Sequence, residues 1–314
     1  MPAFLNKVIL TTVVFPALAF AGMSNFETPL ERAEWEFDGD KFDCRLTHEV
    51  ENFGRFVLSR SAGHGLVLAL QSDWLPDDGL TATFSLQQPG WQPSAPEQGD
   101  RFDARWHRGE ATLVAVAAPF LQALELGWNW RADLNDGAGQ GWRVSSANVH
   151  GQPAALEMRR CLKRLLPMSY EQVRRLELNY ASGGIEPPGP AGELIAAAAA
   201  YVQADARIKR VLVDGHTDSD GDSLANLVLS RTRADEVAAR LVAAGVEADK
   251  IEIRGHGERF PIVSNGSSKG RERNRRVTIR LVMEEQPATA AADNGAPDMS
   301  ATLPKTLSDQ VDGQ

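Results

Sequence analysis

Two hydrophobic rhythms divide the chain. Before residue 150, short stretches at 55–59, 65–71, 81–87, 111–118, 123–130 and 141–147 mix apolar and polar positions, and clusters of Gly, Pro, Asp and Asn separate them. Short runs with this punctuation predict β-strands, and Ala62-Gly63-His64-Gly65 between the first two reads as a hairpin-like turn. The spacing predicts an antiparallel all-β domain, either a sandwich or a small barrel. An outer-membrane β-barrel is the competing architecture. It would require several tilted strands of about ten residues with an apolar outer band, whereas these runs are mostly shorter and often polar.

After residue 170 the period changes. Residues 173–180 place apolar side chains at 176, 178 and 180, as a strand does. An alanine-rich segment, 193–203, follows Pro187-Pro188-Gly189-Pro190 and predicts a helix. Residues 210–214 form a short apolar strand, and 224–244 a helix with Ala234, Val237, Ala238 and Leu241 along one stripe, ended by Gly245. Residues 251–254 and 275–283 complete a βαβαββ order, an α/β layer fold. Residues 287–314, rich in Ala, Pro, Thr, Asp and Ser, lack apolar periodicity and are expected to be disordered.

Composition supports two separate cores, since all seven tryptophans precede residue 150 and all three tyrosines follow it. The start of the chain adds a compartment. Lys7, an apolar stretch over 8–20 and Ala19-Phe20-Ala21 read as a secretory signal over 1–21; Pro16 interrupts the stretch, which is short for a membrane span. Gly22 rather than cysteine follows, so no lipid anchor is expected there. The expected order is a signal at 1–21, a β-rich domain at 22–165, an α/β domain at 166–286 and a tail at 287–314. In an oxidising compartment the two cysteines, Cys44 and Cys161, are expected to pair, the alternative being two buried thiols. A net charge of −9 argues against a sequence-blind nucleic-acid binder, and the basic run at 269–276 is broken by Glu272.

The candidate chemistry lies in the second domain. Gly215-His216-Thr217-Asp218 follows a strand, so its side chains emerge at a carboxyl end, where open α/β sheets bind ligands. Asn226, Ser230 and Arg233 share one face of the next helix, beside Leu229. Gly255-His256-Gly257-Glu258, Asn265 and Asn274-Arg275-Arg276-Val277 come after. His216, Asp218 and His256 could suggest a metal site or hydrolase. The spacing of a zinc helix is absent, however, and no serine or cysteine stands in a nucleophile elbow. Both histidines are expected to fix turns, and neither an enzyme nor a cofactor is expected.

This ordered set resembles the OmpA-like peptidoglycan-binding domain shared by OmpA, Pal and flagellar stator B-subunits. The resemblance runs over 173–283. It implies that Asp218 and Arg233 clamp the diaminopimelate of a wall stem peptide, and it extends the candidate site to Thr217, Asn226, Leu229, Asn274 and Arg276. The chemistry is suitable, because a carboxylate accepts from the ligand's ammonium and a guanidinium binds its carboxylate bidentately. The bland reading of the same pair is a structural ion bridge between strand and helix. Both groups are expected at the rim of the sheet, outside its core.

Cys44-Arg45-Leu46-Thr47-His48 with Phe53-Gly54-Arg55-Phe56, and later Arg160-Cys161-Leu162, resemble the N-terminal region of the MotY family of periplasmic flagellar proteins. That resemblance implies a ring-forming adaptor in the periplasm, associated with the flagellar basal body. Its partners would be MotX-like or stator B-subunit proteins, with no nucleic acid and no membrane span.

Overall fold

The computed structural model describes residues 22–88, 100–187 and 189–284; the expected signal and tail lie outside them. The first unit is built from ten strands: β1 (Met23–Glu27), β2 (Glu36–Gly39), β3 (Asp43–Val50), β4 (Gly54–Ser61), β5 (Val67–Gln71), β6 (Asp78–Gln87), β7 (Phe102–His107), β8 (Glu110–Val114), then helix α1 (Ala118–Glu125), β9 (Asn129–Asn135) and β10 (Gly141–Ser145). Helix α2 (Gly151–Arg164) follows. Alternation sets the strands' faces. In β3, Cys44, Leu46, His48 and Val50 point inward while Arg45 and Glu49 are exposed. Gly63, at φ +74, makes the β4–β5 turn anticipated from Ala62-Gly63-His64-Gly65.

All ten strands belong to one sheet, ordered β1-β10-β9-β6-β7-β8-β5-β4-β3-β2, and only the β1–β10 pair is parallel. The sheet is a half-barrel. It is neither of the two architectures expected from strand spacing, nor the closed outer-membrane barrel. The physical reason is the two helices. Phe120, Leu121 and Leu124 of α1, with Ala155, Met158 and Cys161 of α2, join Phe56, Phe84 and Trp130 of the sheet in one core. They occupy the concave side that a second sheet or the far wall of a barrel would fill. Buried indoles find acceptors there: Trp130 Nε1 donates to the Phe120 carbonyl at 2.8 Å, and Trp35 Nε1 to that of Ala147 at 2.7 Å.

Part of one expected strand is helix. Residues 123–130 open as the last turn of α1, because Pro119 starts a helix and Phe120, Leu121, Ala123 and Leu124 are spaced to bury one face. Gly127, at φ +78, then ends it, with Trp128 N donating back to the Ala123 carbonyl before β9 begins.

In the second unit a short helix, α3 (Tyr170–Val173), precedes β11 (Arg175–Asn179), α4 (Ala191–Ala204), β12 (Ile208–His216), α5 (Ser223–Ala243), β13 (Ile251–Gly255), α6 (Ser268–Asn274) and β14 (Arg276–Met283). The sheet order is β11-β14-β12-β13, with β12 and β13 parallel across the α5 crossover. The expected βαβαββ order is present, with α6 added. Helix α5 starts on Asp222, whose carboxylate accepts from Leu224 N and Ala225 N, and stops before Gly245 at φ +96. Its stripe of Ala234, Val237 and Leu241 meets Val211, Val213, Val277 and Ile279 of the sheet.

The two units touch where hairpins of the first meet α3 and α4 of the second. Phe42 packs against Tyr201 with ring centroids 5.4 Å apart, Ala62 enters the second core, and Leu166 N donates to the Lys41 carbonyl at 2.9 Å. Beside this seam Cys44 of β3 and Cys161 of α2 are disulfide-bonded, closing a sequence separation of 117. Loop-closure entropy for a ring of that size is worth about 4 to 5 kcal/mol. Replacing both cysteines with alanine should lower unfolding stability of the first unit by roughly 2 to 5 kcal/mol, measured by denaturant titration. Thiol labelling of the folded protein without reductant should find no free sulfhydryl.

Candidate functional site

The site is set by how closely α5 lies on the sheet. Gly215 and Gly255 are register partners at the carboxyl ends of β12 and β13. A Cβ on Gly215 would sit 1.9 Å from the Ser230 carbonyl oxygen, and one on Gly255 2.9 Å from Arg231 N. Only glycine permits this approach. Ser230 Oγ accepts from Gly257 N at 2.9 Å and donates to the Leu227 carbonyl at 2.8 Å. Thr217 N donates to the Gly257 carbonyl at 3.0 Å, which knits the two strand-end turns together.

Within this frame the expected residues separate into two groups. Asn226 spans the turns, its Nδ2 reaching the Asp220 carbonyl at 3.0 Å and Glu258 Oε2 at 3.1 Å. Asn274 accepts from Ile262 N at 2.9 Å and donates to the Val263 carbonyl and Asn265 Oδ1 at 2.8 and 2.7 Å. Arg276 is buried and donates to the Phe260 carbonyl at 3.2 Å. These three residues hold loops, though Arg276 Nε is buried with no partner among the described residues. Leu229 is half-buried on α5, and Thr217 Oγ1 is buried with no partner among the described residues.

Asp218 and Arg233 form the second group, and their geometry differs from the expected rim pair. Arg233 is 0% exposed. Its Nε donates to the Gly184 carbonyl at 2.6 Å and its Nη2 to the Ala181 carbonyl at 3.2 Å, while the guanidinium lies 4.8 Å from the centre of the Tyr180 ring. Nη1 is buried with no partner among the described residues. The loop after β11 folds over α5 and so encloses the guanidinium, which is why it lies in the interior. Asp218 is paired instead with Arg275, whose Nη1 donates to Oδ2 at 2.8 Å. Asp218 Oδ1 accepts from Asp220 N at 3.2 Å. No carboxylate forms an ion pair with Arg233 among the described residues. Burial, then the charge of Arg275, pulls the Arg233 guanidinium below its ordinary pKa, while Tyr180 and Asp218 oppose that. Burial pushes the Tyr180 hydroxyl up to about 12, so it keeps its proton.

Arg275 and Tyr180 were not among the residues expected from sequence. A signal for Arg275 exists: Val277, Ile279 and Leu281 face the α5 side, so a period of two places 275, not 276, toward Asp218. On the opposite face Asp214 accepts from His256 Nε2 and Arg280 Nη2, each at 2.8 Å. His216 stacks on His256 at 4.9 Å and its Nδ1 has no partner among the described residues.

Residues 188–275 match the OmpA family, so the second unit is an OmpA-family domain. Over 70 residues the chain is 47% identical to the peptidoglycan-binding protein ArfA of Mycobacterium tuberculosis, a match covering 22% of each chain. Among solved structures, the C-terminal domain of Helicobacter pylori MotB matches at 22% identity and a TM-score of 0.33, over 35% of this chain and 86% of that one. Residues 26–167 match the MotY N-terminal domain. The chain is 28% identical over 291 residues to the sodium-type flagellar protein MotY of Vibrio parahaemolyticus, covering 88% of this chain and 98% of that protein. It therefore carries a MotY N-terminal domain joined to an OmpA-family domain.

His216 gives this domain a pH dependence. Burial, with the charges of Arg276 and His256, lowers its pKa from 6.5 to about 4. The unfolded chain takes up the proton first, so stability is full above the unfolded value and falls as pH drops from about 6.5 toward 4. The shift corresponds to roughly 3 kcal/mol. Thermal unfolding between pH 7 and 4 should show this loss, and His216→Gln should flatten it. Burial lowers His48 of the first unit in the same direction, so some slope should remain.

Proposed function

We propose that the protein is a non-catalytic periplasmic adaptor of a flagellar motor. Its second domain grips the diaminopimelate stem peptide of peptidoglycan. Its first domain faces the basal body and a MotX-like or stator B-subunit protein, and copies assembled in a ring help to anchor stator units. One observation carries the wall-binding part: Arg233 is a fully buried cation without an anionic partner among the described residues, within electrostatic reach of Asp218, in an OmpA-family domain. A buried charge left unpaired is expensive to keep, and a ligand carboxylate would supply what is missing. The name of the ArfA relative, a peptidoglycan-binding protein, supports the same ligand. The motor assignment rests on likeness to MotY along nearly its whole length.

Magnitudes favour assembly in many copies. Charge-assisted hydrogen bonds contribute about 1.5 to 3 kcal/mol each, so one domain binds a stem peptide modestly. Firm anchoring then needs many domains engaged on one wall, through effective concentration.

Asp218→Asn removes charge with little change of shape, and Arg233→Lys keeps charge but loses the planar fork. Each should reduce co-sedimentation with peptidoglycan sacculi by about tenfold or more. Arg233→Lys should also lower stability, since the native side chain ties down the loop at Ala181 and Gly184. Wild-type sedimentation by both variants would remove the wall-binding reading. A deletion strain should be flagellated but paralysed, and swimming assays with electron microscopy of filaments read that directly.

A further inference from the structure

The first sheet ends in an open edge. β2 is its last strand and pairs only with β3 among the described residues, and Glu36, Asp38 and Gly39 are exposed. Asp40 N donates to the Asp43 carbonyl at 2.8 Å. Counting in twos from that hydrogen-bonded pair turns the backbone N–H and C=O of Phe37 and Gly39 away from β3, toward the free side. Phe37 packs on the core, so Glu36 and Asp38 stand on the opposite, outer face.

A cleft of about 390 Å³ adjoins the start of this strand, lined by Arg32, Glu34, Glu36, Glu49 and Glu51 among others. Its walls are tied together, since Thr28 Oγ1 donates to the Glu49 carbonyl at 2.7 Å and accepts from Glu51 N at 2.9 Å. Four glutamates against one arginine leave a surplus of three negative charges. Arg32 is already paired with Glu51 at 2.5 Å, while Glu34, Glu36 and Asp38 have no ion pair among the described residues. Charges on an edge strand can serve only to prevent edge-to-edge pairing. Here they also come from β3, from the β3–β4 turn and from the segment before β2, and they converge on one cleft. Edge protection does not require that convergence.

From this we infer that β2 docks an extended, basic segment of a partner protein by strand addition. The incoming strand takes up the free backbone groups of Phe37 and Gly39. Its period of two presents lysine or arginine to Glu36, Asp38 and the cleft on the outer face, and apolar residues beside Phe37 on the inner face. Charge disfavours two nearer occupants. A second β2 would set acids opposite acids, and residues 285–314 of the chain itself carry five acidic residues and one lysine. The inference rests on the adaptor reading of the first domain, for which it names the kind of segment bound, and is independent of wall binding.

Titration calorimetry on the mature full-length protein tests this with blocked peptides of about eight residues, a strand's length. The probes are an alternating Lys-Val peptide, an alternating Glu-Val peptide, and a block isomer with all its Lys before all its Val. The Lys-Val peptide should bind, the block isomer about tenfold more weakly, and the Glu-Val peptide not at all. Glu34→Gln with Glu36→Gln should weaken Lys-Val binding about tenfold and leave sedimentation with sacculi unchanged. A wild-type protein that binds no Lys-Val peptide, or binds the block isomer equally well, overturns the inference. So does a folded double variant of unchanged affinity. Wild type without peptide binding, beside a double variant that self-associates in sedimentation velocity, means that the acids only guard the edge. Should the double variant fail to fold, the wild-type ranking decides alone. The adaptor reading is judged separately, by the motility of the deletion strain, and survives each of these outcomes.

Discussion

Contact between the backbone of α5 and the ends of two strands governs the second domain. Gly215 and Gly255 lie side by side in the sheet, and the helix rests on both where Ser230 and Arg231 pass. With any side chain at Gly215 the helix would have to lift, and everything it carries would move with it. Asp218 leaves the sheet just past that contact, and Arg233 enters the interior one turn beyond Ser230. Their placement relative to each other therefore follows from two missing Cβ atoms, and the polar knots at Ser230, Asn226 and Asn274 hold the surrounding loops to that spacing.

A small set of charged groups stands apart from this scaffold. Among the described residues most ionic contacts are between exposed partners such as Arg231 and Asp235 or Arg240 and Glu236, where solvent screening leaves little net energy. Arg233 is different: the loop after β11 removes it from water, and no carboxylate pairs with it among the described residues. A buried charge without a partner of opposite sign is a cost that the folded state carries. The core of the first domain is aromatic and aliphatic, and its indole donors Trp35 Nε1 and Trp130 Nε1 are matched within the fold.

Much of this was legible in sequence, for identifiable reasons. Helices α4 and α5 and strands β13 and β14 have clear periods, and Cys44 and Cys161 had no other partners. The half-barrel was not legible, because strand spacing is the same whether a sheet closes, stacks on another or curls around helices. Residues 123–130 misled because Leu126, Trp128 and Trp130 alternate as in a strand, while Gly127 marks a helix end that only its positive φ reveals. Helix α2, which decides how the sheet is filled, was passed over. Within the site Thr217, Asp218, Asn226, Leu229 and Arg233 lie on the expected strand-end turn and helix, while Asn274 falls in α6, which was not expected. Their partners were not foreseen, since Asp218 meets Arg275 and Arg233 meets backbone carbonyls of a loop well before it in the chain. Such pairings are set by the seating of loops, which no local pattern encodes.

The disulfide has a mechanical consequence. The only peptide connection between the two cores runs through the end of α2, and a pull on that end would ordinarily unwind the helix turn by turn. Cys161 lies in the last turns of α2 and is bonded to Cys44, in a strand hydrogen-bonded on both sides to β2 and β4. Tension arriving at residue 166 is thus transferred sideways into the sheet before it can reach the body of the helix. The bridge works as a strain relief, so the link between the two halves yields only when a laterally supported strand does.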